Sequence, residues 1–321
     1  MGTFHVSVRR ASVLASLMLA TAAQADEGGV SFWLPGQFGS LAAVPTAPGW
    51  SLPTIYIHSS ESLGADKTTI RGGRLTAGVD ATADIVLALP TYTFETPVWG
   101  GQAAIAAGAG VGNIDVSVDA TFNRPGGPIV SGHEQDSKLG GTDFYALGTL
   151  KWNFGVHNVM AYSMLGAPAG AYQAGRISNL GIGHWSIDAG GGYTYFDKVN
   201  EFSAVMGFTY NFENPDTHYK NGIDAHIDWA ASRFVTKETH LGVVGYFYHQ
   251  ITGDSGEGAS LGDYKSRVNA IGLQVGHFFP VGKEPWYVNL KGFHEFGAKN
   301  RPEGWSVWLT LLIPLGPAKK P

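Results

Sequence analysis

Two neighbouring stretches of the chain, residues 201–213 and 222–233, alternate strictly between apolar and polar side chains. The apolar positions of the first stretch are Phe202, Ala204, Met206, Phe208, Tyr210 and Phe212. Side chains of a β-strand point alternately to its two faces, so each stretch predicts one long strand with an apolar face and a mostly polar face. A soluble β-sandwich also alternates, so the fold class depends on how many such segments occur and how long they are.

Segments of the same kind follow one another from residue 52 to residue 313. Most are about 9 to 14 residues long, whereas strands of soluble proteins average about 5 to 6 residues. Short connections alternate with longer polar ones, as periplasmic turns and extracellular loops do in outer-membrane barrels. The sequence therefore predicts an all-β, antiparallel, up-and-down transmembrane β-barrel of the bacterial outer membrane with both termini on the periplasmic side.

The number of strands depends on where the first third of the chain turns. A tight turn at residues 80–83 and a break at Gly110-Val111-Gly112 give about 14 strands and preserve the alternation of short and long connections. If residues 101–122 instead form one long strand and a further strand is lost, the count becomes 12, which is the alternative.

The composition suits a sheet whose outer surface meets lipid. Charged residues make up only 15% of the chain, aromatic residues make up 12%, and there are 45 glycines. Five tryptophans fall at or near predicted strand ends, where an indole ring can rest at the lipid headgroups. They are Trp99, Trp152, Trp185, Trp286 and Trp305. The chain has no cysteine, which excludes disulfides, thiolate metal ligands and cysteine nucleophiles.

The first 25 residues have the features of a secretory signal peptide. Arg9 and Arg10 precede an apolar run over residues 11–23, and Ala23-Gln24-Ala25 forms a small-x-small cleavage site. Removing these two arginines from the 21 basic residues leaves 19 against 26 acidic ones, a net charge of −7, which argues against a nucleic-acid partner. We expect four segments: 1–25 signal peptide, 26–50 N-terminal arm or plug, 51–314 transmembrane barrel and 315–321 C-terminal tail.

The N-terminal arm is rich in glycine and proline and shows neither the period of a helix nor that of a strand. Its large apolar residues include Phe32, Trp33, Leu34 and Phe38, which would be costly to leave in water. Two interpretations stay open. The arm is either an irregular segment outside the barrel or a plug folded into the lumen. In the second case these four residues contact the interior of the barrel or a solute.

The polar faces of the predicted strands carry charges of both signs, which we expect to line a watery lumen. The candidates are Arg74, Asp115, Asp119, Lys151, Asp188, Asp224, His226, Asp228, Arg267 and Lys291. Asp224, His226 and Asp228 project from one face of one strand and could bind a cation, but no spacing in the chain matches a known metal motif. An ordinary polar wall is the simpler interpretation, so the sequence predicts no metal, no cofactor and no catalytic residue.

A lipid-cleaving barrel enzyme is the catalytic alternative. It would need a serine and a histidine on the lipid-facing side near one membrane surface, and only His249 is in phase with clearly outward residues. His249 lies near a strand end, where a histidine at the membrane interface is the simpler explanation.

Several short motifs resemble a known family. Residues 28–40 read GGVSFWLPGQFGS and are followed by Pro48-Gly49-Trp50; Gly73-Arg74 precedes the second strand, and Thr91-Tyr92-Thr93 precedes Gly100-Gly101. In these motifs the chain resembles the MetA-pathway of phenol degradation family of outer-membrane proteins. The similarity covers most of the mature chain, and the first motif is the distinctive one. The resemblance implies a β-barrel, often described as a transporter, that is associated with the degradation of aromatic compounds.

The sequence as a whole predicts an outer-membrane channel or transporter for small hydrophobic or aromatic compounds, surrounded by outer-membrane lipid. A non-transporting barrel with a structural or surface-interaction role needs the same wall and stays open. The interfacial hydrolase stays open with less support. The oligomeric state is not predicted by any of these patterns.

Overall fold

A computed structural model describes residues 31–71, 74–122, 130–259, 264–281 and 284–316. Fourteen β-strands account for most of the described chain. Their bounds are β1 (Gly49–Arg71), β2 (Arg74–Ala88), β3 (Thr91–Thr93), β4 (Gln102–Phe122), β5 (Val130–Gly141), β6 (Phe144–Phe154), β7 (His157–Ala167), β8 (Ser186–Phe196), β9 (Asn200–Asn211), β10 (Asp224–Phe234), β11 (Thr239–Gln250), β12 (Arg267–Val281), β13 (Glu284–Lys299) and β14 (Glu303–Gly316).

Twelve of these strands close into one antiparallel ring. The order around the ring is β1, β2, β4 and then β6 to β14, and β14 pairs with β1 over residues 50–62 and 303–316 to complete it. A closed ring leaves no strand edge unpaired, so the backbone groups of the wall bond between strands as the lipid interior requires. The predicted fold class is confirmed, with the alternative count of 12 as the number of strands in the ring.

The two strands outside the ring are β3 and β5, and each extends the ring strand next to it in the sequence. β3 follows β2 after Leu89-Pro90, and both pair with β1 and with β4. β5 precedes β6 across Thr142-Asp143, and both pair with β4. The breaks between β2 and β3 and between β5 and β6 lie on either side of the same part of β4. There the Ala107 N–H donates to the Pro90 carbonyl, and the Gly110 carbonyl accepts the Thr142 N–H. Fourteen strands therefore build twelve spans of wall.

The tight turn predicted at residues 80–83 and the break predicted at Gly110-Val111-Gly112 are wrong. Residues 80–83 lie inside β2 and pair with both β1 and β4, and β4 continues through the glycines without a break. These glycines allow strands to pack closely, because a Cβ on Gly110 would lie 2.4 Å from the carbonyl oxygen of Val86. The five strands predicted between residues 52 and 122 therefore correspond to three ring strands, β1, β2 and β4, which lowers the number of strands in the ring from 14 to 12.

The outer face of the ring is apolar over its middle. Exposure alternates along β7, and exposed large apolar side chains recur on the outward face of the other strands. Examples are Leu165, Ile187, Phe208, Phe247, Ile271, Leu273 and Leu290. So much apolar surface would be costly in water, and lipid around the wall removes that cost.

The ring has a turn end and a loop end. The short connections at residues 155–156, 197–199 and 235–238 lie at the turn end, and the longer connections at residues 168–185 and 212–223 lie at the loop end. β1 begins and β14 ends at the turn end, each two residues outside the predicted barrel segment of 51–314. The predicted signal peptide and the last five residues of the predicted tail lie outside the described residues.

Because the chain has no cysteine, single cysteines report the side of the membrane on which each end lies. We predict that Glu257→Cys, at the loop end, reacts with a membrane-impermeant thiol reagent on intact cells. Lys237→Cys, at the turn end, should react only after the outer membrane is permeabilised. Both native side chains are exposed, so neither substitution disturbs packing. The reverse pattern of labelling would place the turn end outside the cell.

β9 allows the lipid-facing surface to be tested by depth. Phe208 and Phe212 share one outward face, with Phe208 nearer the middle of the wall and Phe212 at the loop end. We predict that Phe208→Arg destabilises the barrel by about 2–4 kcal/mol and Phe212→Arg by about 0–1 kcal/mol, because the cost of a charge falls toward the membrane interface. Equilibrium unfolding from lipid vesicles measures both, and equal costs would contradict this position of the membrane.

Candidate functional site

The N-terminal arm lies inside the ring. A ring of twelve strands is wider than the roughly eight strands whose own side chains fill the interior, so its lumen must hold water or chain. Residues 31–48 occupy this space, and within them Phe32 and Trp33 are buried, the latter with 0% of its surface exposed. The arm and the side chains that hold it form the candidate functional site.

One carboxylate and one ammonium group hold the middle of the arm. Asp228 of β10 accepts the backbone N–H of Gly36 at 2.9 Å and that of Phe38 at 3.1 Å. Lys291 of β13 donates from Nζ to the carbonyl oxygens of Gly36 and Gln37. We name Asp228, Gly36 and Lys291 the arm clamp. Both charged groups bond to the backbone of the arm, so the clamp satisfies polar groups that burial would otherwise leave unpaired.

Gly36 is required at the centre of the arm clamp. Its φ of +91° lies in the left-handed region that side chains disfavour. A Cβ at this position would also lie 2.9 Å from Cζ of Phe293 and 3.2 Å from Cδ1 of Tyr246. The glycine therefore lets the arm come close enough to the wall for both charged groups to reach its backbone.

A second set of contacts ties the arm nearer the turn end. Glu201 of β9 accepts the Ser40 hydroxyl at 2.6 Å and the Leu41 backbone N–H at 3.0 Å. Thr194 of β8 accepts the Ala43 backbone N–H at 3.0 Å through Oγ1. The alternation of β9 predicts that Glu201 faces the lumen, whereas Thr194 is not among the sequence candidates. Strand alternation places them on the polar face, but no local pattern tells which polar residue meets the arm.

Stacked rings hold the part of the arm nearer the loop end. Trp33 stacks on His226 with ring centroids 3.5 Å apart and an interplanar angle of 17°. Asp188 fixes the imidazole in turn, because its carboxylate bonds to His226 Nε2 at 2.8 Å. The same carboxylate accepts the hydroxyls of Tyr162 at 2.7 Å and Thr209 at 2.6 Å. This buried network orients the ring on which the tryptophan lies.

The structure places six of the ten sequence candidates in the lumen. They are Lys151, Asp188, Asp224, His226, Asp228 and Lys291. Asp224 shares the inward face of β10 with Asp228 and accepts the side-chain amide of Asn211 at 2.9 Å. The side chain of Arg74 lies outside the described residues. The remaining three candidates face outward.

Asp115 and Asp119 of β4 face outward, so the prediction that they line the lumen is wrong. Their neighbour Ile114 borders a cavity together with Leu34 of the arm, which identifies the inward face of β4. On the opposite face Asp119 bonds to His133 of β5 at 2.8 Å, and both side chains are exposed. The loop-end half of β4 buries its apolar residues on the inward face and turns polar residues outward, which reverses the pattern of β9.

Arg267 of β12 also faces outward, so its assignment to the lumen is wrong. Its neighbours Ser266 and Val268 are buried, whereas Arg267 is exposed and pairs across strands with His249. On this outward face His249 bonds to Asn269 at 3.0 Å. The arginine lies at the loop end of its strand, where its charge can reach the lipid headgroups.

The four arm residues predicted to contact a solute lie in two environments. Phe32 and Trp33 are buried against the wall, and Phe32 stacks on Tyr145 with centroids 5.9 Å apart. Leu34 and Phe38 are partly exposed, and each borders a cavity. The buried pair therefore anchors the arm, and the other pair presents apolar surface to the spaces beside it.

The arm lies between two cavities that share no lining residue. Leu34 and Pro35 border a cavity of about 100 Å³ toward the loop end. Arm residues from Phe38 to Pro48 border a cavity of about 460 Å³ toward the turn end, which we name the turn-end cavity. A volume of this size is typical of pockets for small molecules. The arm therefore lies between the cavity toward the loop end and the turn-end cavity.

The metal and hydrolase alternatives concern the acidic and histidine side chains of the described residues. No group of three or more His, Asp or Glu side chains there is placed to hold a metal ion. His249, the candidate for interfacial hydrolysis, bonds to Asn269, and no serine among the described residues is hydrogen-bonded to it. None of the described residues forms a helix long and apolar enough to cross a membrane.

Comparison with protein families matches residues 65–311 to the family described as "Putative MetA-pathway of phenol degradation". Comparison with curated proteins gave no match. Among solved structures, the COG4313 outer membrane channel from Pseudomonas putida F1 is similar, with a TM-score of 0.63 and 11% sequence identity. The similarity covers 84% of this chain and 97% of that chain. At this identity the likeness establishes the fold, which is that of an outer-membrane barrel.

Two other outer-membrane barrels are similar at lower TM-scores. The translocator domain of the autotransporter NalP from Neisseria meningitidis has a TM-score of 0.47 and 7% identity, and the match covers 84% of this chain and 90% of that chain. A FadL homologue from Pseudomonas aeruginosa has a TM-score of 0.43 and 8% identity, and the match covers 93% of this chain and 99% of that chain.

The arm clamp can be opened by one substitution with a matched control on the same strand. We predict that Asp228→Asn releases the arm, because an amide offers one acceptor to two backbone donors of the arm and removes the charge near Lys291. Losing one charged hydrogen bond of about 1.5–3 kcal/mol should speed chymotrypsin cleavage after Phe38 by about tenfold or more. Asp224→Asn should leave cleavage unchanged, and equal rates for the two variants would contradict the arm clamp.

Proposed function

Because the chain belongs to the MetA-pathway of phenol degradation family and is a β-barrel of the bacterial outer membrane, we propose that it is a channel for small hydrophobic or aromatic compounds. The observation that carries the proposal is the turn-end cavity between the arm and the wall. Its volume of about 460 Å³ suits a small molecule, and the description of the family supports aromatic compounds as the solutes.

The lining of the turn-end cavity is mainly apolar. The arm contributes Phe38, Leu41 and Val44, and the wall contributes Pro53, Ala106, Leu147, Phe278 and Leu312. Apolar surface that a solute removes from water here stabilises the bound state by roughly 25 cal/mol per Å². A hydrophobic solute therefore gains more from this cavity than from the hydrogen-bonded wall around Asp188 and His226.

In the proposed mechanism the arm acts as a gate. The cavity of about 100 Å³ toward the loop end offers an aromatic solute much less room than the turn-end cavity, so in this mechanism the arm shifts to let a solute through. Asp228, Lys291 and Glu201 bond to its backbone, and water can replace those bonds when the arm moves. The arm can therefore move without leaving buried polar groups unpaired.

The direction of passage follows from the two ends of the barrel. Short turns face the periplasm and longer loops face the cell exterior in bacterial outer-membrane barrels. On this orientation a solute enters at the loop end, passes the arm and reaches the turn-end cavity next to the periplasm. The cavity is then the last binding site before release.

Deletion of residues 31–47 tests the proposed gate. We predict a folded barrel with a severalfold larger single-channel conductance in planar bilayers, because the deletion opens the lumen. Intact cells should also take up the neutral fluorescent hydrophobe N-phenyl-1-naphthylamine faster than cells that make the wild-type protein. Heat-dependent mobility on gels verifies folding of the deletion variant.

Two controls make this result decisive. Cells without the protein give the baseline of uptake through lipid, and Asp224→Asn gives a barrel with its arm in place. If conductance and uptake are unchanged in the folded deletion variant, the arm does not obstruct the lumen. If neither protein raises uptake above the baseline, the barrel has a non-transporting role and the proposed function is wrong.

A further inference from the structure

Lys151 of β6 is the one charged side chain that borders the turn-end cavity among the described residues. Its Nζ donates to the carbonyl oxygen of Val44 in the arm at 3.2 Å. Within the described part of the chain it has no other hydrogen-bond partner, and no ion pair found there includes it. A single cation therefore stands in a mostly apolar cavity with one backbone oxygen as its partner.

This arrangement leaves hydrogen-bonding capacity unused. An ammonium group carries three N–H donors, and the Val44 carbonyl takes one of them. A charge in mostly apolar surroundings is stabilised when it is paired and hydrogen-bonded, so an anion that enters the cavity gains from pairing with Lys151. A carboxylate suits the site well, because its oxygens accept the remaining donors and its charge neutralises the ammonium.

Two neutral side chains extend the donor surface around Lys151. Gln102 of β4 lies directly opposite Lys151 in the strand register, and Thr149 lies two residues before it on the same face of β6. Both border the turn-end cavity. Gln102 Oε1 already accepts the Thr46 backbone N–H at 2.8 Å, which leaves the amide N–H groups of Gln102 to donate. Three side chains on one patch of wall can thus bond to a single acidic group.

We infer that the turn-end cavity binds small amphipathic monocarboxylates, aromatic or short aliphatic, with the carboxylate on Lys151 and the apolar body against Leu147, Phe278 and Leu312. One lysine balances one negative charge, which disfavours dianions such as phosphate monoesters, and it repels cations. The inference rests on the proposed channel function and narrows its solute class from hydrophobic compounds in general to hydrophobic acids.

The test uses full-length protein in planar bilayers with benzoate as the probe, because this anion does not leak readily through lipid. Reversal potentials in gradients of sodium benzoate and sodium chloride give the ratio of benzoate to chloride permeability. We expect Lys151→Gln to lower this ratio by about tenfold, the loss of one charge-assisted hydrogen bond of about 1.5 kcal/mol. Lys151→Arg keeps the charge and should keep the ratio. Lys198→Gln, in an exposed turn at the same end, is the matched control and should also keep it.

The outcomes separate this inference from the proposed function. If the barrel conducts and the ratio is the same in wild type and Lys151→Gln, the carboxylate site is wrong while the channel stands. If no variant conducts, the channel is wrong, and calorimetric titration with benzoate then decides the site. Weaker binding of benzoate by Lys151→Gln, with Lys151→Arg unaffected and the neutral isostere benzamide bound equally by all, supports the site. Equal benzoate affinities for wild type and Lys151→Gln overturn it.

Discussion

Closure of the sheet is the constraint on which the rest of this structure depends. Pairing of β14 with β1 removes the last strand edge, and in lipid a wall with an open edge would leave backbone groups unpaired. Closure at twelve strands also creates a lumen too wide for the wall's own side chains to fill. The barrel therefore has a second surface, facing inward, that needs partners. The arm supplies them, and its irregular backbone is held because Asp228, Lys291 and Glu201 bond to that backbone.

Four charged side chains of the lumen bond to the backbone of the arm, which explains how a polar wall and an apolar arm can coexist. An irregular buried segment has no ladder of its own, so the N–H and C=O groups that its turns leave unpaired need side chains from the wall. Asp228 and Lys291 both meet the peptide groups around Gly36. The apolar side chains of the arm are then free to pack or to border cavities. Hydrogen bonds to the wall hold the arm in a fixed position. Because water can replace these bonds, the arm can also leave that position.

Strand alternation predicted the barrel and the faces of β9 and β10, since a period of two over ten or more residues has few other uses. It failed over β1 to β5 for a physical reason. A local pattern separates two faces but does not say which face meets water, and along β4 the apolar face with Ile114 points inward while Asp119 points outward. Gly110 and Gly112 suggest a break in the strand, whereas in the structure they allow close strand packing. The arm contacts were beyond prediction, because Gly36 and Asp228 are 192 residues apart in sequence.

The two halves of the arm have different chemistry, and this difference explains why the inferred solute site lies beside the turn-end half. Near the loop end Trp33 stacks on the His226 ring, and this contact is not a hydrogen bond that a polar solute could replace. Near the turn end Pro45 and Pro48 have no N–H groups, so this segment can border an apolar cavity without leaving donors unpaired. Its Val44 carbonyl is bonded to Lys151. In the inferred site a carboxylate takes the donors of Lys151 that the Val44 carbonyl leaves free, so the acidic group and the arm backbone bond to the same ammonium group. One lysine then joins the inferred solute site to the segment of the arm that borders it.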